Sequence, residues 1–110
     1  MSKYIQVLTT IDSEAKAEEI AKRLLRDRLA ACVQIIGPIK SMYWWKDQME
    51  EAREWICLIK TESSKYADIE NTIKEVHSYE VPEIIALPII SGYSRYLEWI
   101  SNEVKKDKKS

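Results

Sequence analysis

Phenylalanine is absent from this chain, and glycine occurs only twice, at Gly37 and Gly92. So little glycine excludes a glycine-rich loop that cradles phosphates. Without phenylalanine, the aromatic string of an RNA-recognition strand, led by a basic residue, is missing too. Two cysteines, Cys32 and Cys57, are too few for a disulfide scaffold, and no C-x-x-C or H-x3-H spacing offers a structural zinc site. Histidine occurs once, as His77. A formal net charge of −1 gives no basic field for nucleic acid. No apolar run reaches the roughly 18 residues that a membrane span needs. The chain opens Met1-Ser2-Lys3-Tyr4-Ile5 and enters a strand pattern at once, without a secretory signal, so the expected location is the cytoplasm. No internal repeat or linker is visible, and the expectation is one domain over residues 1–110, with residues 105–110 a frayed basic tail.

What is present is 45% hydrophobic and 32% charged over 110 residues, a composition that folds around one core. The chain is organised around Ala31 to Thr61. This stretch reads as two strands, Ala31–Trp45 and Met49–Thr61, joined by Lys46-Asp47-Gln48. Fifteen extended residues span roughly 50 Å at about 3.3 Å each. A domain of this size has a radius of gyration of only about 13 Å. The hairpin therefore overshoots its own domain. Trp44 and Trp45 point to opposite faces, and one domain covers only one of them. The remaining cover is expected from another copy of the chain. Gly37-Pro38 marks a bulge, bend or edge in the first of these strands.

Lys3–Ile11 reads as a strand. Asp12-Ser13 then offers an N-cap, and Ala17, Ile20, Ala21, Leu24, Leu25 and Leu29 form one helical stripe, giving a helix from about Ser13 to Arg28. A second helix follows Ser63-Ser64 and carries Tyr66, Ile69, Ile73 and Val76. It stops before Val81-Pro82. Ile84–Ile90 is expected to be a buried strand, with Pro88 confining it to an edge or bulge. A last helix carries Tyr96, Leu97, Ile100 and Val104. The order β-α-β-β-α-β, then α, predicts an α+β fold. It is a ferredoxin-like sandwich with an antiparallel sheet, two helices on one face, a long hairpin between its second and third strands, and an extra C-terminal helix.

Chemistry-bearing residues are few. The cysteines read as small buried hydrophobes. With the turn centred near Asp47, Cys32 is expected opposite a residue near Glu62, about five residues or roughly 16 Å from the partner of Cys57, too far for a disulfide. His77 closes the second helix, where a protonated imidazole suits the helix C-terminus. The sharper reading makes it a copper or zinc ligand, with Glu80 or Glu83 adding oxygen. Tyr79 and Glu80, in the pre-proline loop, could instead line a cleft between subunits. A Cys32–His77 dyad is the one visible candidate for nucleophilic catalysis, with no third residue to orient it.

Leu29-Ala30-Ala31-Cys32-Val33, Ser41-Met42-Tyr43-Trp44-Trp45, Ile59-Lys60-Thr61, His77-Ser78-Tyr79-Glu80-Val81-Pro82-Glu83-Ile84 and Tyr96-Leu97-Glu98-Trp99 together resemble the CutA divalent-cation-tolerance family. The resemblance implies a small cytoplasmic homotrimer of ferredoxin-like subunits, built like the PII signalling proteins. It further implies tolerance of copper and other divalent metals, with no enzymatic reaction and no required cofactor. Three departures stand out. The family's His-Pro-Tyr reads His77-Ser78-Tyr79 here. Asp47 replaces the usual turn glycine. Copper-binding members use a cysteine near the end of the first strand and a His-His pair at the second helix, whereas this chain reads Val7-Leu8-Thr9-Thr10 and Val76-His77, so His77 alone remains of that set.

The expected function is a trimer that takes Cu2+, another divalent metal or a small ligand in intersubunit clefts. Cys32, Trp45, Lys60, His77, Tyr79 and Glu80 are expected to line the cleft, with His77 and Glu80 as metal ligands. The alternative is a PII-like trimer that senses a small anionic metabolite at the same cleft. A thiol enzyme using Cys32 ranks third. Neither nucleic acid nor membrane is an expected partner.

Overall fold

The structure is a computed structural model that describes residues 2–107. Four strands form one antiparallel sheet. In chain order they are β1 (Tyr4–Ile11), β2 (Cys32–Trp45), β3 (Gln48–Glu62) and β4 (Ile84–Pro88), and across the sheet they run β2-β3-β1-β4. The helices are α1 (Glu14–Arg26), α2 (Tyr66–Val76) and α3 (Ser94–Lys105), with a short 3-10 turn at Ser63–Lys65 ahead of α2. This is the predicted ferredoxin-like order. Pro38 and Pro88 both lie on edge strands, where a missing N–H breaks no ladder between neighbours. The basic-tail expectation falls partly outside the described residues. Lys105 ends α3 and Lys106 caps it, while 108–110 are not described.

Alternation along β1 builds the core. Ile5, Val7, Thr9 and Ile11 are buried against the helices together with Cys57, Ile59 and Thr61 of β3. From α1 come Ala17, Ile20, Ala21 and Leu24, and from α2 come Ile69 and Ile73. Each large aliphatic buried here contributes about 1.5–3 kcal/mol. The Ser13 side chain caps α1, accepting from the Lys16 N–H at 3.3 Å. Past the other end of α1, Arg28 adopts φ 57° and the Leu29 N–H reaches back to the Leu24 carbonyl at 3.0 Å. This left-handed stop is the position where glycine is usual.

The hairpin turns more tightly than the sequence suggests. Gln48 pairs with Trp45, so only Lys46 and Asp47 turn the chain, at φ 50° and 64°. Both are left-handed, as a two-residue hairpin of this hand requires. Further along, the β2–β3 register shifts by one residue between Ile36 and Ile39. The tighter turn and the bulge together place Cys32 opposite Lys60, not near Glu62. Cys57 faces Ile35, three residues from Cys32, and both thiols are free. Gly37 is needed at the bulge, because a Cβ there would lie 2.3 Å from the Trp55 ring.

The sheet's other face is open. It carries Ile36, Ile85 and Leu87, which are 49%, 45% and 47% exposed. Helix α3 covers one end, tied by Tyr4 to Ser101 at 2.7 Å and by Ser101 to Glu62 at 2.5 Å. Only Ile100 and Val104 of its predicted stripe are buried. Tyr96 stays exposed and stacks on Trp99, with centroids 5.5 Å apart. The molecule extends 44 Å along its longest axis, with a radius of gyration of 14.5 Å.

Candidate functional site

The one-residue bulge decides which hairpin side chains share a face. Residues paired across an antiparallel ladder point the same way. Ahead of the bulge, Cys32, Gln34 and Ile36 pair with Lys60, Leu58 and Ile56. Beyond it, Ile39, Ser41, Tyr43 and Trp45 pair with Glu54, Ala52, Glu50 and Gln48. Trp45 and Tyr43 therefore stand on the open face together with Glu54. Trp44 stands on the opposite face and is 70% exposed.

Glu54 follows the end of β1, whose last residue Ile11 pairs with Trp55. The loop after α2 fills the space beside it. Tyr79 donates to the Glu54 carboxylate at 2.6 Å. Burial first, and the Glu54 charge second, hold the Tyr79 phenol well above its ordinary range. His77 fixes that loop. Its Nδ1 accepts from the Tyr79 backbone N–H at 3.1 Å, and its Nε2 donates to the Thr10 carbonyl at 2.7 Å. The two rings meet edge to face, 4.6 Å apart.

Two adjoining depressions result. One, of about 300 Å³, is lined by Asp12, Tyr43, Trp45, Tyr79 and Glu80, among others. The other, of about 380 Å³, includes Ser41, Tyr43, Glu54, Tyr79 and Glu83. Glu54 was not among the residues read from sequence as site candidates. A charge two residues before Ile56 and four before Leu58, on the face those two share, is the signal that would have marked it.

Within this chain the expected cleft residues fall into two groups. Trp45, Tyr79 and Glu80 line one depression, with His77 bracing it from behind. Cys32 and Lys60 face each other six residues away along β3, roughly 20 Å from Glu54. There Lys60 donates to Gln34 at 2.6 Å. The Cys32–His77 dyad does not form. His77 sits at Thr10 on β1, four residues or roughly 13 Å along that strand from Gln6, the residue level with Lys60 and Cys32. The helix-end reading of His77 is corrected as well. Its ring bonds to β1 and to Tyr79, not to the last carbonyls of α2. Cys57 is fully buried, donates to the Ala17 carbonyl, and has its thiol pushed up to about 11 by burial.

The residues of this chain do not fit a metal centre. Both His77 nitrogens are committed, and no three His, Cys, Asp or Glu side chains converge among the described residues. No helix among them is long and apolar enough to cross a membrane.

Comparison with known proteins places this geometry in company. Residues 5–103 match the family described as CutA1 divalent ion tolerance protein. A divalent-cation tolerance protein CutA from Archaeoglobus fulgidus is 44% identical over 99 residues, covering 90% of this chain and 96% of its own. The solved structure from that organism, described as periplasmic, superposes with a TM-score of 0.89 over 92% of this chain and 98% of that one. The Thermus thermophilus relative is 43% identical over 94 residues, covering 86% of this chain and 91% of its own. A CutA1 from the psychrotrophic Shewanella sp. SIB1 is 37% identical with a TM-score of 0.90, covering 93% of this chain and 95% of that one.

Proposed function

This chain belongs to the CutA1 divalent ion tolerance protein family, and from that premise we propose that it acts in tolerance of divalent ions such as copper as a cytoplasmic, non-catalytic homotrimer. Its ligand is taken in a cleft walled by the long hairpin and the loop after α2. One observation carries the assembly: the open sheet face presents Ile36, Ile85 and Leu87 together, while Met42, Trp44 and Met49 stand exposed on the other face of the hairpin. Apolar side chains left open on both faces are unusual on a monomer. A ring of copies covers it with one repeated contact, and three is the number that the family resemblance implies.

The cleft supports binding of a small molecule better than a resident metal. A divalent ion held there would need carboxylates from more than one chain, because one subunit does not group three ligands among the described residues. The PII-like alternative, an anionic metabolite, finds little support in walls that carry Asp12, Glu54, Glu80 and Glu83.

Leu87→Glu tests the assembly. By size-exclusion chromatography with light scattering, the wild type is expected to be a trimer and the variant a smaller folded species. A variant with unchanged mass would overturn the claim that this face is the interface. Calorimetric titration with Cu2+ then separates the two ligand readings. Stoichiometric, tight binding would restore the metal.

A further inference from the structure

Glu54 is only 5% exposed, yet no Lys, Arg or His comes within ion-pair distance of it among the described residues. A buried carboxylate without a counter-charge is costly to keep. One of its oxygens accepts from Tyr79. The other, Oε1, has no protein donor among the described residues, and Glu54 itself lines a cavity. Around that cavity stand the aromatic rings of Tyr43 and Tyr79, with Trp45 in the adjoining depression. Glu83 lines the same cavity, Asp12 and Glu80 line the adjoining depression, and no basic residue lines either. Trp45 already attracts a cation, since the Lys46 ammonium lies 5.9 Å from its ring centroid.

Aromatic faces beside a single desolvated carboxylate suit an organic cation. They suit a bare metal ion poorly, since it needs several oxygen or nitrogen ligands. They suit an anion least of all. We propose that this cleft binds a small organic cation through a primary ammonium or guanidinium group seated on Glu54 Oε1, with the cation's stem against Tyr43 and Tyr79, which line the same cavity. The inference rests on the reading of this cleft as the working site. It does not require the cleft to lie between subunits, because every residue named belongs to one chain.

The test is calorimetric titration of the full chain with n-butylguanidinium and n-butylammonium chloride, at ionic strength matched with NaCl and with sodium butyrate as the anionic control. Saturable binding of one cation per chain is expected. Glu54→Gln keeps the shape and an acceptor for Tyr79, and is expected to weaken binding about tenfold or more. Tyr43→Leu removes an aromatic ring that lines the Glu54 cavity on a hairpin residue 42% exposed, and is expected to weaken binding about threefold or more. No saturable binding of either cation, equal binding of butyrate, or full affinity in both variants would overturn the proposal. So would a Glu54→Gln protein that loses its oligomeric state while the wild type ignores both cations, because Glu54 would then serve a basic side chain of a neighbouring copy. A trimer that binds no cation sinks this inference and leaves the assembly standing. A monomer that binds one does the reverse.

Discussion

Individual side chains carry burdens that the sequence shows only in part. Tyr79 bonds to Glu54 while its own neutral form is favoured, its phenol raised above the ordinary 10.0. A group raised in the folded state contributes stability below its unfolded value, and that stability is lost as the pH climbs through the folded one. Stability should therefore decline above about pH 10. Tyr79→Phe should cost about 2 kcal/mol at neutral pH, as loss of a hydrogen bond to a charged group does. It should also make the alkaline decline shallower without abolishing it, since Tyr66 and Tyr96 are raised as well. Urea denaturation from pH 7 to 11 reads both effects. Thr9 is the opposite case. Its Oγ1 is buried without a hydrogen-bond partner among the described residues. Thr9→Val replaces that hydroxyl with a methyl of similar size, and a gain of about 1 kcal/mol is expected in thermal denaturation. Neither role is legible in sequence. Thr9 looks like an ordinary strand residue, and Tyr79, although a cleft candidate, shows nothing of its bond to Glu54 until the fold brings the two together.

Secondary-structure elements were far more legible than residue roles, and the reason is periodicity. Most of the α1 and α2 stripes and the alternation of β1 follow from spacing, and the edge prolines from their missing N–H, although Leu25, read into the α1 stripe, is exposed and Leu29 lies beyond the helix end. Register did not follow. It hangs on two local events, a turn one residue shorter than expected and a single-residue shift at Gly37-Pro38. Together they set Cys32 against Lys60 and put Trp45, not Trp44, on the face that Glu54 shares. The bulge also explains why one of only two glycines stands there, against the Trp55 ring. Gly37→Ala should destabilise by about 1–3 kcal/mol through overpacking. Equilibrium unfolding would show this as a lower denaturant midpoint with an unchanged slope. At the hairpin tip the scarcity of glycine acts the other way. Asp47 holds φ 64° where glycine is at ease. Asp47→Gly should stabilise by about 0.5–1 kcal/mol in the same measurement.

For the whole molecule, the long hairpin and the open face point the same way. The length mismatch was argued from residue counts, and the molecule's longest dimension is 44 Å. The grouping of the cleft was not readable, because Cys32 and Lys60 lie near one end of the β2–β3 ladder, Trp45 lies near the other, and Tyr79 reaches its middle at Glu54. A ring of copies would let the open face be covered throughout, and the whole functional account turns on that cover. Sedimentation velocity of the purified wild-type chain at micromolar concentration tests it most directly. The account predicts a single folded species of three times 12.9 kDa. A folded species sedimenting at 12.9 kDa would contradict it.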